Sequence, residues 1–432
     1  MSNYSFDVVR FCDLDSVRDE KVETLIKFFS DDNVFNIILR QAISTNKISV
    51  PSIYSDGVAT CERGFFFLQN CLVFVDGRAC FVVTQLSSLL YGILDLQNKV
   101  FYSQEFNLSR QTPLIDGIVN EEKLIRPEGK GFLGVINGYQ RPYHYFYDKV
   151  PFLSLLDPNL IYASTALSIR DKAFLPALVF GFKSEVIVDD LSEYISRNEG
   201  FALDIGQPYR YSQKMFINAL FEDRIMRSFS NSGGELSSGE SPQPVIWLGC
   251  CQEKRKWVEL YDALELFIDE IRKDFPKSLF IFDGLTRPEY MDENVFKGLK
   301  RVRNDVSEIM EFVKKFDDLS FFILAGKSAA DKLEWAFRTD FFISNALTDS
   351  IWCSRFAKKN GLCFSSRSSQ SEVLRQHRHP VATIFPFEKV KDLGPDHENW
   401  SKMDFSIDPY DFSKLALSKF KESYCLGVKN DT

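Results

Sequence analysis

The sequence predicts an α/β protein of two domains, with a β-rich element near its N-terminal end. Three observations point there. The 432 residues exceed what one hydrophobic core usually supports, since domains run about 100 to 200 residues. The stretch from Ser228 to Pro244 is rich in Ser, Gly and Pro, has almost nothing to bury, and reads as a linker or surface loop. Beyond it, short apolar runs alternate with amphipathic ones, the pattern of a parallel sheet covered by helices on both faces.

Residues 16–45 predict two helices, the first with Val22, Leu25, Ile26 and Phe29 on one face. Between Gly64 and Phe106 lie closely spaced strand-like runs, Gly64 to Leu68, Cys71 to Val75 and Cys80 to Thr84. They predict β-hairpins with Asp76-Gly77 as a turn. From Gly131 an α/β pattern resumes through Phe132 to Ile136, Leu160 to Ala163 and Ser184 to Val188. Residues 1–227 are thus expected to be one domain, a β-rich element plus an α/β unit, with 228–243 as the linker.

Residues 244–408 predict a Rossmann-like second domain with right-handed crossovers, so that two Rossmann-like domains would face a cleft. Val245 to Cys250 is strand-like, and a helix follows with Trp257, Leu260, Leu264, Phe267, Ile268 and Ile271 at three-and-four spacing, stopped by Pro276. Strand Ser278 to Asp283 leads to a helix bearing Val295, Leu299, Val302, Val306, Ile309 and Val313. Strands at 319–324 and 340–344, a helix from Ser350 to Lys359 stopped by Gly361, and strands at 362–364 and 381–385 complete the cycle. A final helix within 409–432 is expected to pack back on the first domain.

The composition is that of a globular protein, 45% hydrophobic and 26% charged. The 41 Phe suggest aromatic-filled cores, with exposed apolar surface as the alternative. A net charge of −8 argues against a protein that grips nucleic acid through its phosphates. The nine cysteines are odd in number, scattered and without a CxxC pair, which fits reduced buried thiols and neither a disulfide framework nor a zinc site. The first residues lack the basic and apolar regions of a signal peptide, and no apolar run approaches the roughly 20 residues that span a bilayer. A cytoplasmic protein is expected, with peripheral membrane contact left open.

In open α/β sheets, ligands collect beyond the carboxyl ends of the strands, and three such ends hold candidate residues. Gly249 lets a ligand approach the backbone, and a helix beginning near Glu253 would present N–H groups, Lys254 and Arg255 to a phosphate; a solvated basic helix start is the alternative. Asp283 ends a strand and is a candidate partner for a ribose or sugar hydroxyl, or else a cap or turn residue. Ser344, Asn345 and Ser350 are small polar residues suited to a phosphate cradle without a metal, part of which a plain N-cap by Thr348 or Asp349 would explain. There is no Walker sequence and no GxGxxG, so nucleotide hydrolysis and simple NAD binding lose support.

Ahead of the linker, Asn137 to Asp148 is the densest polar and aromatic cluster. His144 is a candidate general base toward a hydroxyl, with Asp148 one helical turn away to orient it. Arg141 is a candidate holder of a phosphate or carboxylate, and Tyr143 and Tyr147 of a sugar ring by stacking. The alternative for His144 is a structural histidine. His377 and His379 lie in a basic loop that suits phosphate contact or simple exposure better than a metal, because no Cys or carboxylate has ligand spacing around them.

Two α/β units joined by a linker resemble GT-B glycosyltransferases. Gly138 to Asp148 resembles the His-bearing acceptor-side segment of the bacterial enzymes of capsule and lipopolysaccharide synthesis. Asp340 to Ser350 resembles their donor-side segment, where a strand and small polar loop precede a phosphate-facing helix. His379-Pro380 is similar to the His-Pro pair of bacterial sialyltransferases, whose His contacts the nucleotide phosphate; the companion acidic-acidic-Gly motif is missing, its nearest candidate being Phe282-Asp283-Gly284. The resemblance implies transfer of a sugar from a nucleotide-activated donor to a glycan or lipid-linked glycan acceptor. No cofactor and no obligatory metal are expected, the nucleotide sugar being a substrate. A sugar-nucleotide epimerase or hydrolase of the same architecture and a non-catalytic glycan-assembly protein are the alternatives.

Overall fold

The computed structural model describes residues 7–10, 19–31, 33–86, 90–103, 108–120, 129–139, 141–206, 219–230, 243–252, 255–291, 298–346, 348–371, 373, 381–394 and 403–428. The chain divides into two compact units, Met1–Phe221 and Glu222–Thr432.

The first unit opens on a seven-stranded sheet. Its strands are β1 (Asp7–Arg10), β2 (Ile48–Pro51), β3 (Val58–Phe67), β4 (Gln69–Asp76), β5 (Ala79–Gln85), β6 (Gly92–Asp95) and β7 (Val100–Ser103), in spatial order β1-β7-β6-β5-β4-β3-β2. All neighbours are antiparallel except β1 with β7, so the expected hairpins are present. The β4–β5 turn uses Gly77 at φ +60°, a left-handed conformation that glycine adopts without a Cβ penalty. Phe65, Cys71, Val73, Val82, Leu94 and Phe101 bury one face against Leu114, Ile115 and Ile118 of helix Leu108–Val119. The two early helices are Glu20–Phe29, N-capped by the Asp19 carboxylate, and Val34–Thr45.

A four-stranded parallel sheet follows in the same unit: β8 (Phe132–Asn137), β9 (Thr165–Ile169), β10 (Ser184–Val188) and β11 (Phe201–Leu203), in order β10-β9-β8-β11. The run 160–163, placed in the α/β pattern by its apolar residues, is helical here, in Pro158–Ala163. Asp157 caps that helix by accepting from the Asn159 N–H at 2.9 Å, and Pro158 at its first position has no N–H to satisfy.

The second unit contains a six-stranded, wholly parallel sheet: β12 (Val245–Gly249), β13 (Leu279–Asp283), β14 (Phe321–Ile323), β15 (Phe341–Asn345), β16 (Gly361–Phe364) and β17 (Ala382–Ile384). The spatial order β14-β13-β12-β15-β16-β17 runs outward in both directions from the β12–β15 pair, so strand order reverses there. A short antiparallel pair, β18 (Lys391–Asp392) and β19 (Phe405–Ser406), lies beyond it. Helix Leu260–Asp274 turns Leu260, Leu264, Phe267, Ile268 and Ile271 onto the sheet, as their spacing predicts.

Two expectations for this unit are corrected. The helix after β12 begins at Leu260 and not near Glu253, because residues 256–258 run extended beside 404–405: Phe405 N donates to Lys256 O (2.9 Å) and Val258 N to Phe405 O (3.1 Å). The final helix, Pro409–Val428, packs within the second unit. Phe412, Ala416 and Phe420 are fully buried in its core, with Phe412 edge-on to Trp257 at 4.6 Å and Phe420 edge-on to Phe341 at 5.7 Å. The segment after β15 is a 3-10 turn (Thr348–Ser350) running into a π-turn (Ile351–Phe356), in place of a regular helix from Ser350 to Lys359. Its Ala357 N–H bonds Trp352 O five residues back, at 3.0 Å. Helix Ala219–Ser230 extends into the expected linker, and residues 231–242 lie outside the described residues.

Candidate functional site

The reversal of strand order in the second unit falls between the ends of β12 and β15, where an open parallel sheet leaves a crevice for ligands. Gly249 closes β12. A Cβ there would lie 2.8 Å from Ser344 Oγ and 3.0 Å from Ser344 Cα, so only glycine lets the two strand ends approach this closely. Ser344 and Asn345 end β15 and Ser350 closes the 3-10 turn, all three buried. Ser354 Oγ donates to Ser350 O at 2.6 Å. These small polar residues are therefore packed inside and do not form an open row of hydroxyls.

Beside them the structure gathers charges from four elements. Asp283, at the end of β13 and in register with Gly249, is buried against Lys332, whose Nζ lies 2.6 Å from Asp283 Oδ1 and donates to Gly284 O at 2.6 Å. Asp283 is thus the counter-ion of a buried lysine, which corrects its reading as a sugar or ribose ligand. Lys332 sits in the first turn of helix Ala329–Arg338, whose capping box joins Ser328 Oγ to the Asp331 N–H and Asp331 Oδ2 to the Ser328 N–H.

Asp305, on helix Leu299–Val313, accepts the Leu285 N–H on Oδ2 at 2.6 Å. A Cβ on Gly284 would stand 1.9 Å from that oxygen, so glycine is what lets the carboxylate lie against the backbone. Segment 283–285 is consequently held from one side by Lys332 and from the other by Asp305. Cys250 N donates to Asp283 O at 2.8 Å, which ties the same segment to the end of β12.

Titration reflects this crowding. Burial pushes the Asp283 carboxyl up despite Lys332. Asp305 is raised to about 6, mainly by burial, against the Leu285 N–H and Lys332. Asp349, in the 3-10 turn after β15, is raised to about 7 by burial and then by Asp283, with Lys332 opposing, Asp305 adding and Arg255 opposing. The Arg255 guanidinium is lowered by burial, opposed by Asp349 and Cys251. Carboxyls displaced this far, with charge partners at strand ends, make this cluster the candidate site of the second unit.

In the first unit, Asn137 ends β8, the strand at which order reverses between β8 and β11. Asn137 Nδ2 donates to Ser168 Oγ (2.8 Å), and its Oδ1 accepts from Tyr145 OH (2.8 Å). His144 is partly exposed at the end of the short helical turn Pro142–His144, its ring stacked on Tyr139 with centroids 5.0 Å apart. Arg141 is partly exposed. A π-turn, Tyr145–Lys149, follows and sends Tyr145, Phe146, Tyr147 and Lys149 into the interior. Tyr147 is 3% exposed, so it is packed inside and does not offer its ring for stacking. Lys149 Nζ pairs with Asp204 Oδ1 at 2.7 Å beyond β11.

The side chains of Tyr143 and Asp148 lie outside the described residues, as do Glu253, Lys254, His377 and His379 entirely. Sequence reading missed Asp305 and Lys332. The available signal was a charge on an apolar face: Asp305 shares the stripe of Val302 and Ile309, and Lys332 that of Ala329, Leu333 and Ala336. Among the described residues, no three His, Cys, Asp or Glu side chains are grouped to hold a metal ion, and no helix is long and apolar enough to cross a membrane. Comparison with protein-family models, curated proteins and solved structures finds no match to this chain.

Proposed function

We propose that the chain is a glycosyltransferase that moves a sugar from a nucleotide-activated donor to a glycan acceptor, with the second unit holding the donor in a Rossmann-like domain. The observation behind this reading is the reversal of strand order at Gly249 and Ser344, beside Arg255, Lys332 and carboxyls of raised pKa. Nucleotides bind parallel sheets at such reversal points, where strand ends, loops and helix starts converge. In this reading the first unit receives the acceptor at the end of β8. His144 takes the proton of the attacking hydroxyl, Asp148 orients it, and Arg141 holds an anionic group of the substrate. Synthesis of bacterial surface polysaccharide at the cytoplasmic membrane face, without an obligatory metal, belongs to the same proposal.

Thermal unfolding is the first test, with UDP-, GDP-, CMP- and dTDP-sugars each added to the full chain. A donor bound to the folded state raises the apparent melting temperature. Product analysis with and without an acceptor glycan follows. Sugar transfer that needs the acceptor and is lost in His144→Ala supports the reading. Products formed without acceptor point to an epimerase or hydrolase, and no melting shift with any nucleotide sugar points to a non-catalytic role.

A further inference from the structure

In the first unit, parallel strands β8 and β11 leave their carboxyl ends side by side where strand order reverses, the place at which an open sheet takes its ligand. Asp204 follows the last residue of β11 and is held from three other elements. Lys149 Nζ, delivered by the π-turn after β8, lies 2.7 Å from Asp204 Oδ1. The Asp204 N–H donates to Gln85 Oε1 of β5 at 3.1 Å. Asn70 Nδ2 of β4 donates to that same oxygen at 2.6 Å and to Ala202 O of β11 at 2.8 Å. Lys149 and Gln85 are fully buried and Asn70 is 1% exposed, whereas 13% of the Asp204 side chain is exposed. Asp204 is thus the member of this network that a solute can reach.

Stability of the fold does not account for the arrangement. An apolar pair of similar volume commonly matches or exceeds a buried ion pair in stability. Asn70 Oδ1 is buried and receives no hydrogen bond from any described residue, which costs the folded state further. The π-turn that sends Lys149 inward is a rare form of helix, and such turns recur at functional sites. Buried polar side chains that converge on one reachable carboxylate are the support of a binding group, since they fix its place before the ligand arrives.

We propose that Asp204 binds a hydroxyl of a neutral sugar in the β8–β11 crevice, accepting its hydrogen bond on a carboxylate that Lys149 and Gln85 hold in place. The proposal rests on the glycosyltransferase reading above and names the group by which the first unit grips its acceptor. An ionised carboxylate only accepts, so its partner must be a donor, and sugar hydroxyls are donors. The Lys149 charge is sealed inside and already paired, so at this position the partner is a hydroxyl and not a phosphate.

The test is saturation-transfer NMR titration of the full chain with the methyl glycosides of glucose, galactose, N-acetylglucosamine and N-acetylgalactosamine. At least one is expected to bind. Asp204→Asn, of the same shape, is expected to weaken that binding about tenfold, the effect of losing a hydrogen bond to a charged group. A deoxy glycoside lacking the contacted hydroxyl is expected to bind the natural protein equally weakly, and Asp204→Asn to weaken it no further; a merely structural role for Asp204 would weaken every analogue alike. Binding of none of the glycosides, or binding unchanged in Asp204→Asn, would overturn the proposal, and a melting shift with a nucleotide sugar would then leave the donor reading standing. Asp204-dependent glycoside binding without any such shift would defeat the donor reading alone. Should Asp204→Asn fail to fold, carbodiimide labelling of the natural protein decides: Asp204 is expected to be modified in the free chain and protected by the glycoside, and equal labelling, or none in either case, would overturn the proposal.

Discussion

Lys332 Nζ lies 2.6 Å from Asp283 Oδ1, and both side chains are shut off from solvent, at 0% and 1% exposure. Taking two charges out of water is expensive, and their mutual attraction offsets that only while both remain. Lys332→Met is therefore expected to destabilise the second unit by about 3–5 kcal/mol, because it strands Asp283 in the interior. Replacing both residues, as in Asp283→Leu with Lys332→Met, is expected to recover most of the loss. Urea unfolding of the two variants decides it: a double variant no more stable than the single one would contradict this account.

Asp305 sets a pH dependence whose sign follows from its raised carboxyl. The group ionises at about 6 in the folded protein and near 3.8 ordinarily, so the folded state holds the proton more tightly. Stability is lost as pH rises from about 4 through 6 and is level above that. Asp305→Asn keeps an oxygen for the Leu285 N–H and removes the ionisation. Relative to the natural protein it is expected to gain stability between pH 4 and pH 8, by up to ~3 kcal/mol for a displacement of about two pH units. Melting curves across that range, with a constant difference between the two proteins, would refute the assignment.

Gly284→Ala would drive a Cβ to within 1.9 Å of Asp305 Oδ2. The expected cost is about 1–3 kcal/mol, as for other overpacked sites. In an Asp305→Ala background the same substitution should cost less, since the clashing oxygen is gone and only the 2.8 Å approach to Ala325 Cβ remains. A double-mutant cycle measures that coupling directly; additive effects would mean that the glycine serves another purpose.

The first unit offers an asymmetric test. Lys149 is fully buried, whereas its partner Asp204 is 13% exposed. Asp204→Ala leaves an ammonium sealed in the protein and is expected to cost about 3–5 kcal/mol. Lys149→Met leaves a carboxylate that water still reaches, and is expected to cost less. Equal losses in guanidinium unfolding would show that burial of the amine does not dominate.

Phe420→Ala tests where the C-terminal helix belongs. The ring is buried beside Phe275, Phe341 and Tyr424, and a Phe-to-Ala truncation in such a core costs about 3–5 kcal/mol. The loss is expected in the unfolding transition of the second unit, with the first unit unchanged. A transition of the first unit that moves instead would contradict the packing described.

Much of this protein was determined by its sequence alone, because local chemistry suffices for it. Closely spaced apolar runs placed the hairpins from Gly64 to Thr84, and three-and-four spacing placed the helices that bury Leu264 and Phe267 or Val302 and Ile309. The Ser- and Gly-rich segment marked the neighbourhood of the division between units, and Gly249, Ser344 and Asn345 were legible as strand-end residues. Tertiary structure decided the rest, through contacts between residues far apart in the chain. The helix after β12 starts late because Lys256 and Val258 bond Phe405, and the last helix lies on the second unit because Phe412 and Phe420 fit among Trp257, Phe341 and Phe364. Tyr147, which reads as a binding aromatic, is turned inward by a π-turn. Asp283 looked like a ligand contact until Lys332, 49 positions later by residue number, proved to be its counter-ion. Asp305 and Lys332 read as charges on helix faces. Only the packing of those helices against the strand ends removes their water, and with it gives them a role.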